Sequence, residues 1–219
     1  MRWPRPASEA VASPQGETDG GRDPPECVVL ADACTSLPEM LVAVVEIPKG
    51  GRNKYEFDPE LGGIKFDRLL MSAASYPADY GYIPETLGGD GDMLDALVCL
   101  TEPTFPGCLI PVKPVGMFKM RDDKGMDDKI ICVPLEDPNW NGYDTLEDLP
   151  ELLRLEIEQF FSIYKELEHK EVVVGGWCDR DAAVEEIEAS RRRFEEARES
   201  GDVTHAAPGG ATPRRERNQ

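Results

Sequence analysis

Asp90-Gly91-Asp92-Met93-Leu94-Asp95-Ala96-Leu97-Val98-Cys99-Leu100 changes character at Asp95, where an acidic loop passes without a break into an apolar run. The run reads as a buried strand that begins where the acidic loop ends. Asp90 and Asp92, two residues apart, are expected on one side of an extended segment, and Gly91 lets the chain bend so that Asp95 converges on them. Three carboxylates so placed repel one another and are costly beside an apolar wall unless divalent cations compensate. All-oxygen donors suit Mg²⁺ or Mn²⁺. A calcium-binding EF-hand does not fit, because Asp95 stands where that loop requires Gly and Thr101 where it requires Glu. Taken alone, the motif is also compatible with a solvated acidic turn.

On either side, Leu41–Ile47, Asn53–Asp58, Ile64–Met71, Cys108–Met120 and Lys129–Pro134 are short runs rich in β-branched or large apolar residues, separated by Gly, Pro and Asp. With Asp95–Leu100 they predict a small closed β-barrel. In Pro150–Glu168, the residues Leu153, Ile157, Phe160, Phe161, Tyr164 and Leu167 recur at three- and four-residue steps and predict a helix. Asp181–Glu199, with Ala183, Ile187 and Phe194, predicts a second, and Glu171–Trp177 between them can return a strand to the sheet. The fold class is therefore α+β, mainly β, a barrel flanked by two C-terminal helices.

Composition sets the outer bounds. The chain has 219 residues and a formal charge of −19, so a nucleic-acid partner, which needs a basic stripe, is not expected and cations are. Residues 1–39 are rich in Pro, Gly, Ser and acidic residues and predict a disordered extension; Met40, directly before the apolar run, is read as the initiator. The domain is expected at 40–199 and a polar, disordered tail at 200–219. Six cysteines without a CxxC pair read as reduced thiols, and no membrane-spanning run or signal-peptide core is present. A cytoplasmic location is expected.

Charges inside apolar patterns mark a site. Glu46 interrupts Leu41–Ile47, and an unpaired buried carboxylate there needs a cation. Arg68 shares a face with Ile64, Phe66 and Leu70, so its guanidinium is expected to point into the barrel, toward a phosphate or in an ion pair with Glu46. Asp122-Asp123-Lys124-Gly125-Met126-Asp127-Asp128-Lys129 predicts a hairpin end that brings Asp122 and Asp127 together, with Lys129 on the face of Asp127; a plain charged hairpin tip is the ordinary alternative. Lys54 and Glu56 share a strand face and could be a surface pair. Tyr76, Tyr80, Tyr82 and Tyr164-Lys165 could serve packing or phosphate binding.

In order along the chain, Val45-Glu46-Ile47-Pro48, Lys54-Tyr55-Glu56, Asp67-Arg68, Tyr76-Pro77 through Tyr80-Gly81-Tyr82, Asp90-Gly91-Asp92 with Asp95, Asp122 with Asp127 and Lys129, and Phe160-Phe161 through Tyr164-Lys165 resemble the soluble family I inorganic pyrophosphatases, over about Val42 to Phe194. The resemblance implies an oligonucleotide-binding (OB)-like barrel, several Mg²⁺ ions, pyrophosphate as substrate and, in bacteria, a homohexamer. It implies Asp90, Asp95 and Asp127 as principal metal ligands, with Asp122 and Glu46 serving further metals. Asp92, or alternatively Asp127, would be the general base. Lys54, Arg68, Tyr80, Lys129, Tyr164 and Lys165 would bind phosphate, and Glu56 and Tyr76 would support them. Met93 departs from the family, which has Pro there. The competing classes are a metal-dependent phosphohydrolase acting on a nucleotide or polyphosphate, and a non-catalytic Ca²⁺-binding module. Against the second stand Arg68, Lys54, Lys129 and Lys165, for which a cation buffer has no use.

Overall fold

A computed structural model describes residues 41–201 except residue 59, together with the backbone of 203–207 and 210–213. The expectations for residues 1–40, the start at Met40 included, lie outside these. The strands in chain order are β1 (Leu41–Ile47), β2 (Asn53–Asp58), β3 (Gly63–Leu69), β4 (Asp79–Tyr82), β5 (Asp95–Val98), β6 (Leu109–Arg121), β7 (Lys129–Pro134) and β8 (Val173–Cys178). Helix α1 (Glu151–Ile163) precedes β8 and helix α2 (Arg180–Ser200) follows it. Beyond α2, β9 (Val203–Ala207) and β10 (Gly210–Pro213) pair antiparallel with each other in the stretch read as a polar tail.

β1, β4, β5, β7 and β6 follow one another edge to edge, and β6 pairs back onto β1, which closes a ring and leaves β8 attached outside it. The length of β6 makes closure possible: Leu109–Val112 pair with β1, Val112–Phe118 with β7 and Met117–Arg121 with β8, with irregular register between Pro114 and Gly116 where a proline cannot donate to a ladder. β5 and β7 run parallel, with Asp95 opposite Lys129. The acidic loop that precedes β5 and the hairpin that precedes β7 therefore open at the same rim.

Side chains alternate across the strands into two apolar layers. Leu97, Cys99, Phe118 and Ile131 pack with α1 through Ile157, Phe160 and Phe161. Ala96, Val98, Ile130 and Cys132 pack with α2 through Ala183 and Ile187. Asp179 caps α2, accepting from the Ala182 amide at 3.0 Å, and Gly201 ends it at φ +79°.

Three expectations need correction. β2 and β3 form a hairpin of their own outside the ring, with Phe66 and Leu69 more than half exposed, so Arg68 does not point into a barrel. The period-two pattern fixes which residues share a face and cannot say which sheet that face covers. Helix α1 ends at Ile163 and yields to a single 3-10 turn over Glu166–Glu168, closed by His169 at φ +55°, so Leu167 leaves the apolar stripe and is exposed. Tyr80-Gly81-Tyr82 lies in strand β4, which is absent from the strands expected from the sequence. Among the described residues no helix is long and apolar enough to cross a membrane. Cys99, Cys108, Cys132 and Cys178 are free, and burial pushes the Cys99 thiol up to about 12, which keeps it unreactive.

Candidate active site

The rim where β5 and β7 begin is the floor of a cleft of about 420 Å³. Every residue proposed from sequence for the site lines this cleft except Lys129: Glu46, Lys54, Glu56, Arg68, Tyr76, Tyr80, Asp90, Asp92, Asp95, Asp122, Asp127, Tyr164 and Lys165. Sequence reasoning did not single out Asp67, Asp123, Lys124 and Lys170, which line it too.

Each wall follows from local chain chemistry. The acidic loop is a turn rather than the extended segment expected: Gly91 takes φ +86°, and the Asp92 amide donates to Asp90 Oδ1 at 3.1 Å. Opposite it, the hairpin is closed by the Asp122 amide donating to Gly125 O at 3.0 Å and by the Asp127 amide donating to Met120 O at 2.9 Å. Helix α1 brings Tyr164 and Lys165 to the cleft on a stack of rings, with centroids 4.6 Å apart for Tyr76 and Phe160 and 5.3 Å for Phe160 and Tyr164. Lys165 Nζ then donates to Asp122 Oδ2 at 2.7 Å. The β2–β3 hairpin supplies Lys54, which pairs with Glu56 at 2.6 Å, and Arg68. Arg68 does not pair with Glu46; its fork is held by Glu168 at 3.1 and 2.9 Å and by Asp67. Glu46 instead accepts from the Phe57 amide at 2.8 Å.

Lys129 lies beneath the cleft floor, 1% exposed, and donates to both Asp95 and Asp127. Burial works against its charged form, but the Asp95 and Asp127 carboxylates outweigh this and raise its pKa. Asp127 is held below the usual carboxylate range because Lys129 outweighs the cost of burial. Asp95 goes the other way: burial, with Asp127 close by, raises it although Lys129 and the Tyr80 hydroxyl, 2.5 Å away, oppose the shift. Burial also raises Asp90, and it pushes Glu46 up to about 8. The Tyr82 hydroxyl, in the same wall, is buried and has no hydrogen-bond partner among the described residues.

This donor set fits divalent cations. Hard carboxylate oxygens from three separate stretches share one cleft, and Glu46, Asp90 and Asp95 are raised because the partners they have fall short of the cost of burying their charge. Among the described residues no three carboxylates are already drawn into a finished cluster. Ammonium groups occupy the oxygens: Lys129 bridges Asp95 and Asp127, Lys165 takes Asp122, and Lys124 takes Asp92 at 2.8 Å. A cation would have to exchange with these lysines. One prediction follows from the raised acids. Glu46 and Asp95 have folded pKa values above their unfolded ones, so the folded state binds more protons between about pH 4.5 and 8, and stability falls as pH rises through that window. Thermal unfolding of EDTA-treated protein should give a Tm that declines from pH 5.5 to 8, and added Mg²⁺ should flatten or reverse the decline. A metal-free Tm that rises across the window would contradict it.

Comparison with known proteins agrees with this geometry. A family model described as inorganic pyrophosphatase matches residues 43–195. The chain is 56% identical over 151 residues to an inorganic pyrophosphatase of Methanosarcina acetivorans, covering 69% of this chain and 90% of the relative. It is 52% identical over 153 residues to one of Streptomyces coelicolor, covering 69% and 94%. The crystal structure of inorganic pyrophosphatase from Thermus thermophilus superposes with a TM-score of 0.71 at 47% identity, over 73% of this chain and 94% of that one. With the matched span running from β1 into α2 and enclosing every wall of the cleft, the chain belongs to the inorganic pyrophosphatase family.

Proposed function

We propose that this chain hydrolyses inorganic pyrophosphate to two orthophosphates, with Mg²⁺ as its working ion and Mn²⁺ as a substitute. The observation that carries this reading is the double sign of the cleft. Carboxylates of the acidic loop, the hairpin and β1 stand in one chamber with Lys54, Arg68 and Lys165 and the hydroxyls of Tyr80 and Tyr164. A small polyanion that arrives with its cations needs both.

Asp90, Asp95 and Asp127 would hold the principal ions, with Asp122 and Glu46 beside them. Bound there, divalent cations supply positive charge to the phosphates and make water more acidic. Asp92, at the mouth and half exposed, accepts the proton of the attacking water. Asp127 is the alternative base, but Lys129, bonded to its Oδ1, outweighs burial and holds it below the usual carboxylate range, which makes it a poorer proton acceptor than an ordinary carboxylate. Lys54, Arg68, Lys165, Tyr80 and Tyr164 bind and orient the two phosphates, and Glu56 and Tyr76 hold Lys54 and the ring stack in place. Lys129, bonded to Asp95 and Asp127 beneath the floor, would be free to bind phosphate only where a cation took its place at those carboxylates.

The assembly inferred from the resemblance is a homohexamer. Leu152 and Leu155, exposed on α1, and Phe105 and Leu109, exposed before and at the start of β6, offer apolar surface for neighbouring copies. The four free thiols among the described residues support the cytoplasmic setting.

The test is phosphate release from pyrophosphate by the full chain with Mg²⁺, with EDTA, and with ATP as competitor. Release with Mg²⁺ that EDTA abolishes and ATP leaves nearly unchanged is the expected result. No release, or equal turnover of ATP, would overturn the proposal.

A further inference from the structure

We propose that Arg193, near the C-terminal end of α2, is a positioning residue that sets the affinity of the site for divalent cations by holding the acidic loop from behind. The inference rests on the reading of that loop as a cation-holding element.

The loop from Leu87 to Asp95 carries three of the carboxylates whose mutual repulsion works to spread it. One of its anchors is local: the Thr86 hydroxyl donates to Ile83 O at 2.5 Å and accepts from the Leu94 amide at 3.0 Å, which ties the two ends together. The second comes from α2. Arg193 Nε donates to Leu87 O at 2.8 Å, while the Leu87 amide donates to Ser190 O at 3.0 Å, so both polar groups of Leu87 are held by one helix. Phe194 packs against the Leu87 side chain. Arg193 is itself braced, its Nη2 donating to Glu186 Oε1 at 2.6 Å and to Ser190 Oγ at 2.7 Å. Ser190 is fully buried, and its hydroxyl donates in turn to Glu186 at 3.1 Å. A small polar residue in the apolar stripe of α2 thus serves the clamp.

Two features make the clamp matter. Behind the loop lies a cavity of about 300 Å³, lined by Gly88, Gly89, Asp90, Asp95 and Arg193 among others, so the loop is not packed solid at its back and has room to retreat. Within Asp92-Met93-Leu94 nothing fixes a backbone φ as proline would. The guanidinium grips the Leu87 carbonyl and pairs with Glu186, and so it steadies the loop that carries the metal ligand Asp90 without pairing with that carboxylate.

Arg193→Met keeps the aliphatic stem and removes the donors; Arg193→Lys restores one. The readouts on the full chain are Mn²⁺ binding measured by electron paramagnetic resonance without substrate, the Mg²⁺ concentration for half-maximal phosphate release, KM for pyrophosphate at saturating Mg²⁺, and Tm. Arg193→Met is expected to weaken Mn²⁺ binding about 10-fold, the scale on which outer support of a metal ligand acts, and to raise the Mg²⁺ requirement in parallel. KM at saturating Mg²⁺ should stay within about twofold, because that substitution touches no phosphate ligand, and Arg193→Lys should recover most of the Mn²⁺ affinity. A lower Tm with unchanged Mn²⁺ affinity would overturn the proposal and leave Arg193 a stabiliser of α2. If the unmodified chain bound no Mn²⁺, the underlying reading of the loop would fail first, and that result is distinct because it needs no variant.

Discussion

Asp92→Asn is expected to lower kcat for pyrophosphate hydrolysis by about 10²–10⁴-fold, the range lost with a general base. The amide is nearly isosteric and cannot take a proton. Asp92 holds its place through the loop backbone, and its ion pair with Lys124 is half exposed on both sides, so losing that pair costs little stability. Mn²⁺ affinity and Tm should therefore stay close to the unmodified chain while turnover collapses. Asp127→Asn separates the two candidate bases. Asp127 is buried against Lys129 and lines the cleft, so its replacement should raise the Mg²⁺ requirement as well as lower the rate. Steady-state kinetics over a Mg²⁺ series on both variants decide the matter; near-normal turnover by Asp92→Asn would remove it as the base.

Gly81→Ala is expected to destabilise the protein by about 3 kcal/mol or more, and to lower Tm by roughly 6–12 °C for a chain of this size. A β-carbon at Gly81 would lie 1.8 Å from Val44 O and 2.9 Å from Val45 Cα, both backbone atoms of β1. A flexible side chain could turn aside, but a strand cannot. β4 would have to move off β1, where Gly81 faces Val45, and would drag its ladder with β5, in which Tyr82 faces Asp95. Tyr80 and Asp95, bonded to each other, sit in those two strands, so pyrophosphate turnover should fall along with stability. A circular-dichroism melt that matches the unmodified chain would show that β1 and β4 can part without cost.

How much of this could be read in the sequence depends on the kind of signal. The acidic loop was legible because Asp95 opens an apolar strand, so a local pattern fixes where its carboxylate starts. Glu46 was legible for the opposite reason: a charge in a run that must be buried demands an explanation, and the structure has it nearly buried in the cleft wall. The placement of β2 and β3 outside the ring was not, because alternation reports a face and not a partner. Strand β4 escaped because Gly81 breaks its apolar pattern, and only the close approach of β1 explains why glycine stands there. Lys129 was visible as a charge on the face of Asp127, but its place under the floor depends on its parallel pairing with Asp95, a contact across 34 residues. Glu168, which grips Arg68 across 100 residues, carries no local sign at all, and Ser190 shows only as a polar residue in the apolar stripe of α2, with nothing to name its partners.

The side-by-side start of β5 and β7 has a consequence for how the molecule comes into being. Two parallel neighbours cannot be joined by a tight hairpin, so the intervening chain, all of β6 included, must be laid down before the two rims meet. Until then the acids of the loop and those of the hairpin lie apart, and neither stretch alone carries the full donor set. Catalytic competence is therefore among the last properties the nascent chain acquires, and a polypeptide released before residue 129 would be inert however well its early strands had formed.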